Sequence, residues 1–167
     1  MTASPVPASG ERRVEGLSEA IYGLILSTSV VAALSEDPGV SARSLFAAVA
    51  VTALVFWLAH VYARAMASRM VDPRRFTWRG IRGVMGWQAP LMAGALPALV
   101  LLGAAWVGLM SVDTAVDLAI GAGVAGLAGC GLVIALQRGL SVPATVMATL
   151  LSGALGFVIL GLKLAIH

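Results

Sequence analysis

Residues 13–29 read RVEGLSEAIYGLILSTS, and how this stretch is read decides the fold. It starts like a surface helix and continues as a membrane span, with the carboxylate of Glu19 where the two readings meet. An ionisable group at the centre of a membrane helix costs about 2.5–3.5 kcal/mol on insertion scales. A carboxylate kept there calls for a partner or a purpose.

The rest of the chain favours the membrane. Of 167 residues 59% are hydrophobic, and the mean hydropathy of +0.95 lies outside the range of soluble domains. A helix crosses the hydrocarbon core in about 20 residues. Five apolar runs meet that length: 14–35, 43–66, 84–110, 114–136 and 142–166. The expected fold is all-α, an integral membrane bundle of five transmembrane helices. It forms a single domain over 13–167, preceded by a disordered tail over 1–12 that has neither the charged start nor the apolar core of a signal peptide. Asp37-Pro38-Gly39 marks a turn, Asp72-Pro73 a helix stop, and Ser141 before Pro143 a helix start. The short Ser111–Asp113 connection makes the third and fourth spans an antiparallel hairpin. Spans that use most of the chain leave no room for a soluble catalytic domain.

Orientation follows from the basic residues flanking the spans. With the N-terminus inside, Arg12, Arg13, Arg64, Arg69, Arg74, Arg75, Arg79, Arg82 and Arg138 are cytoplasmic, and only Arg43 and Lys163 lie outside. The chain is therefore expected N-in and C-out, as a multi-pass protein of the bacterial inner membrane. The net charge of +3 reads as a topology signal and not as a nucleic-acid footprint. The basic loop over 67–83 carries Arg74, Arg75, Arg79 and Arg82 with Phe76 and Trp78 among them. Such a segment either solvates and fixes topology or lies on the inner leaflet and binds anionic lipid.

Catalytic and cofactor motifs find no foothold. Gly121, Gly123 and Gly126 spell G-x-G-x-x-G but sit inside an apolar span with no preceding strand, where glycines serve close helix approach. Cys130 is single, and His60 and His167 fall on opposite sides of the expected membrane, so neither a disulfide nor a metal site is expected. No cofactor is implied.

Two features of the first two spans carry chemistry. At about 1.5 Å per residue, Glu19 and His60 lie at similar depth on antiparallel helices. Glu19 is thus expected to accept hydrogen bonds from His60, Trp57 or Arg64, either as a structural clasp or as part of a proton relay or ion ligand. At about 100° per residue, Gly16, Ala20, Gly23 and Ser27 form a small-residue stripe suited to close packing. Leu24, Thr28, Val31 and Ser35 form the next stripe. Those side chains suit a narrow path, or hydroxyls bonding back to their own helix.

The motif R-V-E-G-L-S-E at Arg13, Leu17, Ser18 and Glu19, with W-x-x-H at Trp57 and His60, resembles the transmembrane protein 175 family of lysosomal and bacterial potassium channels. That family has R-x-x-x-F-S-D in its first helix. The resemblance implies an interhelical cluster of Arg13, Ser18, Glu19, Trp57 and His60, to which Arg64 is added by depth. It also implies a pore lined by the first helix at Leu24, Thr28 and Val31, and, for a single repeat, a homotetramer. The family's six spans stand against five here.

Three readings follow. The leading one is a homo-oligomeric cation channel or leak pathway, for potassium or another monovalent cation. The others are a non-transporting accessory or lipid-binding membrane protein, and a small proton-coupled transporter using Glu19 and His60.

Overall fold

In a computed structural model the protein is described over residues 9–37, 39–71, 78–137, 139, 141–147 and 149–150, without the side chains of 9–14, 68–71 and 78–81. It is all-helical there: α1 (Ser9–Leu34), α2 (Ala42–Val71), α3 (Trp78–Trp87), α4 (Ala89–Trp106) and α5 (Val112–Gln137). Residues 142–147 are helical again, and most of the expected fifth span lies outside the described residues. Four helices are long and apolar enough to cross a membrane: α1 from Glu15, α2 as far as Ala67, and the whole of α4 and α5. This is the build of a multi-pass membrane protein.

Short-range chemistry sets the boundaries. Ser41 and Ser44 cap α2 reciprocally, each hydroxyl accepting from the other's backbone N–H at 3.1 Å. Ser111 caps α5 through the Thr114 N–H at 3.2 Å. At the end of α4, Gly108 adopts φ 83°. Its N–H reaches Ala105 O at 3.0 Å, and that of Leu109 reaches Ala104 O at 2.9 Å, the paired bonds of a Schellman turn.

Three expected boundaries are corrected. The tail does not run to residue 12, because α1 already starts at Ser9. The segment 67–83 is not a continuous loop, since α2 runs to Val71 and Trp78–Trp87 form a helix of their own. The third span does not run unbroken from 84 to 110. Pro90 has no N–H to give the carbonyl of residue 86 and its ring crowds that carbonyl, so α3 stops at Trp87. Gln88 sits at φ −89°, ψ 0°, and α4 starts afresh at Ala89.

The first helix packs against α2, α4 and α5, and α4 packs against each of the other four helices. Its expected small-residue stripe is the surface that meets α4. Gly16 approaches Pro90, and a Cβ on Gly23 would run into the Leu91 carbonyl, while one on Gly94 would run into that of Ala20. On the next side, Gly123 of α5 lies against Thr28, and a Cβ on Gly126 would be 3.1 Å from the Leu24 methyls. Close approach of backbones replaces the hydrophobic drive that helices lack in lipid. Towards the C-terminal end of α1, Val31, Leu45, Val49, Leu102, Val116 and Ile120 close an apolar core.

Candidate functional site

At the opposite end of α1 the interior turns polar. Glu15 and Glu19 lie one turn apart on α1 and so share a face. Arg64 of α2 reaches both, with Nη2 at 2.5 Å from Glu15 Oε1 and 3.4 Å from Glu19 Oε1. The first contact is a strong ion pair and the second a weak one. Glu19 is nevertheless the deeper carboxylate, 8% exposed.

What holds Glu19 is Gln88, the residue at the α3–α4 break, which is completely buried. Its partners fix the orientation of the amide. The nitrogen faces Glu19 and donates to Oε1 and Oε2, both at 3.2 Å, while the oxygen accepts from Arg64 Nε at 2.7 Å. One amide therefore satisfies a buried carboxylate and orients the guanidinium that neutralises it. The cost of removing such charges from water is several kcal/mol per ion, recovered only where the remaining donors and acceptors are matched. Here the match draws on three segments: α1, α2 and the α3–α4 joint.

Of the expected interhelical cluster, Glu19 and Arg64 meet, whereas His60, Trp57 and Ser18 turn elsewhere. His60 turns Nδ1 to the Phe56 carbonyl at 2.9 Å, on its own helix, and its ring lies 5.5 Å from that of Tyr22. Trp57 Nε1 is buried without an acceptor among the described residues. Ser18 is exposed and its hydroxyl donates to Glu15 O at 2.9 Å. The side chain of Arg13 is not among those described. Depth matching places residues at one level but does not rotate them towards each other, and only the long arm of Arg64 spans the gap. Gln88 went unnoticed in the sequence because it is uncharged. A lone amide two residues before a proline in an apolar run is the signal that could have found it.

The stripe expected to line a path is largely enclosed within one subunit. Val31 is fully buried and Thr28 is 1% exposed, with its hydroxyl bonded back to Leu24 O at 2.7 Å. Leu24 packs under Gly126. Their physical role there is to fill the seams between α1 and its neighbours. Ser35 reaches an open volume, a cavity of about 330 Å³ shared with Asp37, Asp113 and Asp117 at the α1–α2 turn and the start of α5. Of the basic residues assigned to lipid, Arg82 is exposed on α3, the side chain of Arg79 is not described, and Arg74 and Arg75 lie outside the described residues.

The side of α1 left uncovered by α4 and α5 carries Ser18, Tyr22, Ile25, Ser29 and Ala33, each exposed or half-buried. The other helices expose mainly aliphatic side chains, Val51, Leu54, Val55 and Leu58 on α2, Leu96 and Val100 on α4, Leu118, Leu132, Val133 and Leu136 on α5, with Tyr62 on α2 and Trp106 on α4 towards the helix ends. Comparison of the chain with protein-family models, with curated proteins and with solved structures finds no match.

Proposed function

We propose that this protein is a homo-oligomeric pathway for monovalent cations, potassium foremost, in which copies assemble around α1 as a tetramer. The observation that carries the reading is the side of α1 left uncovered by α4 and α5, which bears the hydroxyls of Ser18, Tyr22 and Ser29, where the mid-span surfaces of α2, α4 and α5 expose mainly aliphatic side chains. In hydrocarbon, hydroxyls gain by facing a second helix or a water-filled path. The acidic cavity at one end of α1 supplies negative potential that concentrates cations. The path therefore runs along Ser18, Tyr22, Ile25, Ser29 and Ala33, and the stripe of Leu24, Thr28 and Val31 supports it from behind.

The enclosure of Leu24, Thr28 and Val31 in one subunit favours a second reading, a non-transporting accessory protein whose bundle contains no path. Flux through liposomes loaded with potassium separates the two. In the first reading the protein discharges the gradient above empty liposomes, Ser29→Leu suppresses the flux without unfolding the protein, and Leu24→Ala acts only through stability. Flux equal to empty liposomes, with only monomers on crosslinking, overturns it.

A further inference from the structure

We propose that α3 is a surface helix that recognises anionic phospholipid in the bilayer surrounding the protein, and this holds under either reading of transport. The argument starts from length. The 18 residues of α4 rise about 27 Å, close to the roughly 30 Å hydrocarbon core. The spanning part of this segment is thus complete between Ala89 and Trp106, and α3 must lie at the boundary where α4 enters the membrane. The break at Gln88, with Pro90 two residues on, separates it from α4.

Its sequence, WRGIRGVMGW, suits that position. At about 100° per residue, positions 78, 81, 84 and 85 fall within one arc of roughly 120° and all are apolar, whereas Arg79 and Arg82 fall beyond its edge with Gly83 and Gly86. This is the pattern of a helix lying in the interface plane. The rest of the protein covers it only in part. α3 packs chiefly against α2 and less against α4, which leaves Val84 and Met85 half-buried and Arg82 exposed. Gly83 and Gly86 face open space, and Trp87 at the end of α3 is 42% exposed, as suits an indole anchored among headgroups.

Charge selects the occupant. Residues 65–82 contain five arginines and one acidic residue, Asp72. The nearest arginine before them, Arg64, is engaged by Glu15, Glu19 and Gln88, so the junction occupies the local carboxylates and this stretch of the sequence stays strongly basic. A basic rim beside an apolar stripe fits a negatively charged headgroup with its acyl chains beneath.

The test uses the full chain with Cys130→Ser and a nitroxide on Met85→Cys or Gly83→Cys. It compares vesicles of phosphatidylcholine alone with vesicles of equal parts phosphatidylcholine and phosphatidylglycerol. In the mixed vesicles the label at 85 is shielded from a water-soluble nickel relaxant and open to oxygen. It loses that shielding in phosphatidylcholine alone, at high salt, and on Arg79→Gln with Arg82→Gln. The label at 83 stays water-accessible throughout. Exposure of position 85 in every lipid overturns the proposal, as does equal shielding in both, which means apolar insertion without headgroup recognition. Shielding lost when protein is diluted in excess lipid also overturns it, because a second copy is then the cover. The dependence on lipid composition decides the matter even where the double arginine variant misfolds.

Discussion

Two places hold α1 to the third membrane segment, one helical turn apart, and they work by opposite means. At Glu19 and Gln88 the helices are joined by side chains that reach across and complete each other's hydrogen bonds. At Gly23 and Gly94 they are joined by the absence of side chains, so that each backbone rests on the other. The first contact tolerates no loss of atoms and the second no gain. Together they fix both the spacing and the rotation of α1, since a crossing without side chains sets distance alone and a polar bridge sets which face turns inward.

The largest effect comes from breaking the crossing. In Gly94→Ala the new methyl would collide with the Ala20 carbonyl and press on the Leu24 nitrogen, both backbone atoms that cannot swing away. Destabilisation at or beyond the upper end of the usual 1–3 kcal/mol for overpacking, about 3 kcal/mol, is expected in a thermal melt in detergent. Breaking the junction comes next. Gln88→Leu removes the two donors of a buried carboxylate and costs about 1–3 kcal/mol. Adding Glu19→Leu should recover part of that loss despite deleting more polar atoms, with a coupling of roughly 0.5–3 kcal/mol in a double-mutant cycle. If the two losses simply add, the bridge between them does not exist. The smallest effect sharpens the contrast. Gly129 in α5 has nothing within 4 Å of a built Cβ. Gly129→Ala should therefore be neutral or stabilise by up to about 1 kcal/mol through helix propensity. A cost comparable to that at Gly94 would mean that glycine serves this bundle in some way other than close approach.

How far the sequence carries depends on whether the information is local. The stripe of Gly16, Ala20, Gly23 and Ser27 was legible because the helical period alone puts those residues on one side, and small residues on one side have one main use in a membrane. The four long apolar helices were legible for the same reason. What the period withholds is the identity of the neighbour. Leu24, Thr28 and Val31 share a face, but only the fold reveals that α5 covers it with Gly123 and Gly126. The same limit applies to His60, whose depth was read from the chain but whose ring turns to Phe56. Gln88 combines both difficulties: its polarity carries no charge to draw attention, and its role depends on a break caused by Pro90 two residues on.

The three-way bridge at Gln88 also has a history in time. Glu19 enters the membrane with the first span, yet the amide that completes its hydrogen bonds is synthesised roughly seventy residues later, about 3–14 seconds at ordinary ribosomal rates. For that interval the first span is a helix carrying a carboxylate whose partners are incomplete, Arg64 arriving before Gln88. It can wait at the boundary or shelter in the insertion machinery, but it reaches its final rotation only when the third segment arrives. Biogenesis of this protein is therefore a process in which the first helix made settles only after later ones have arrived.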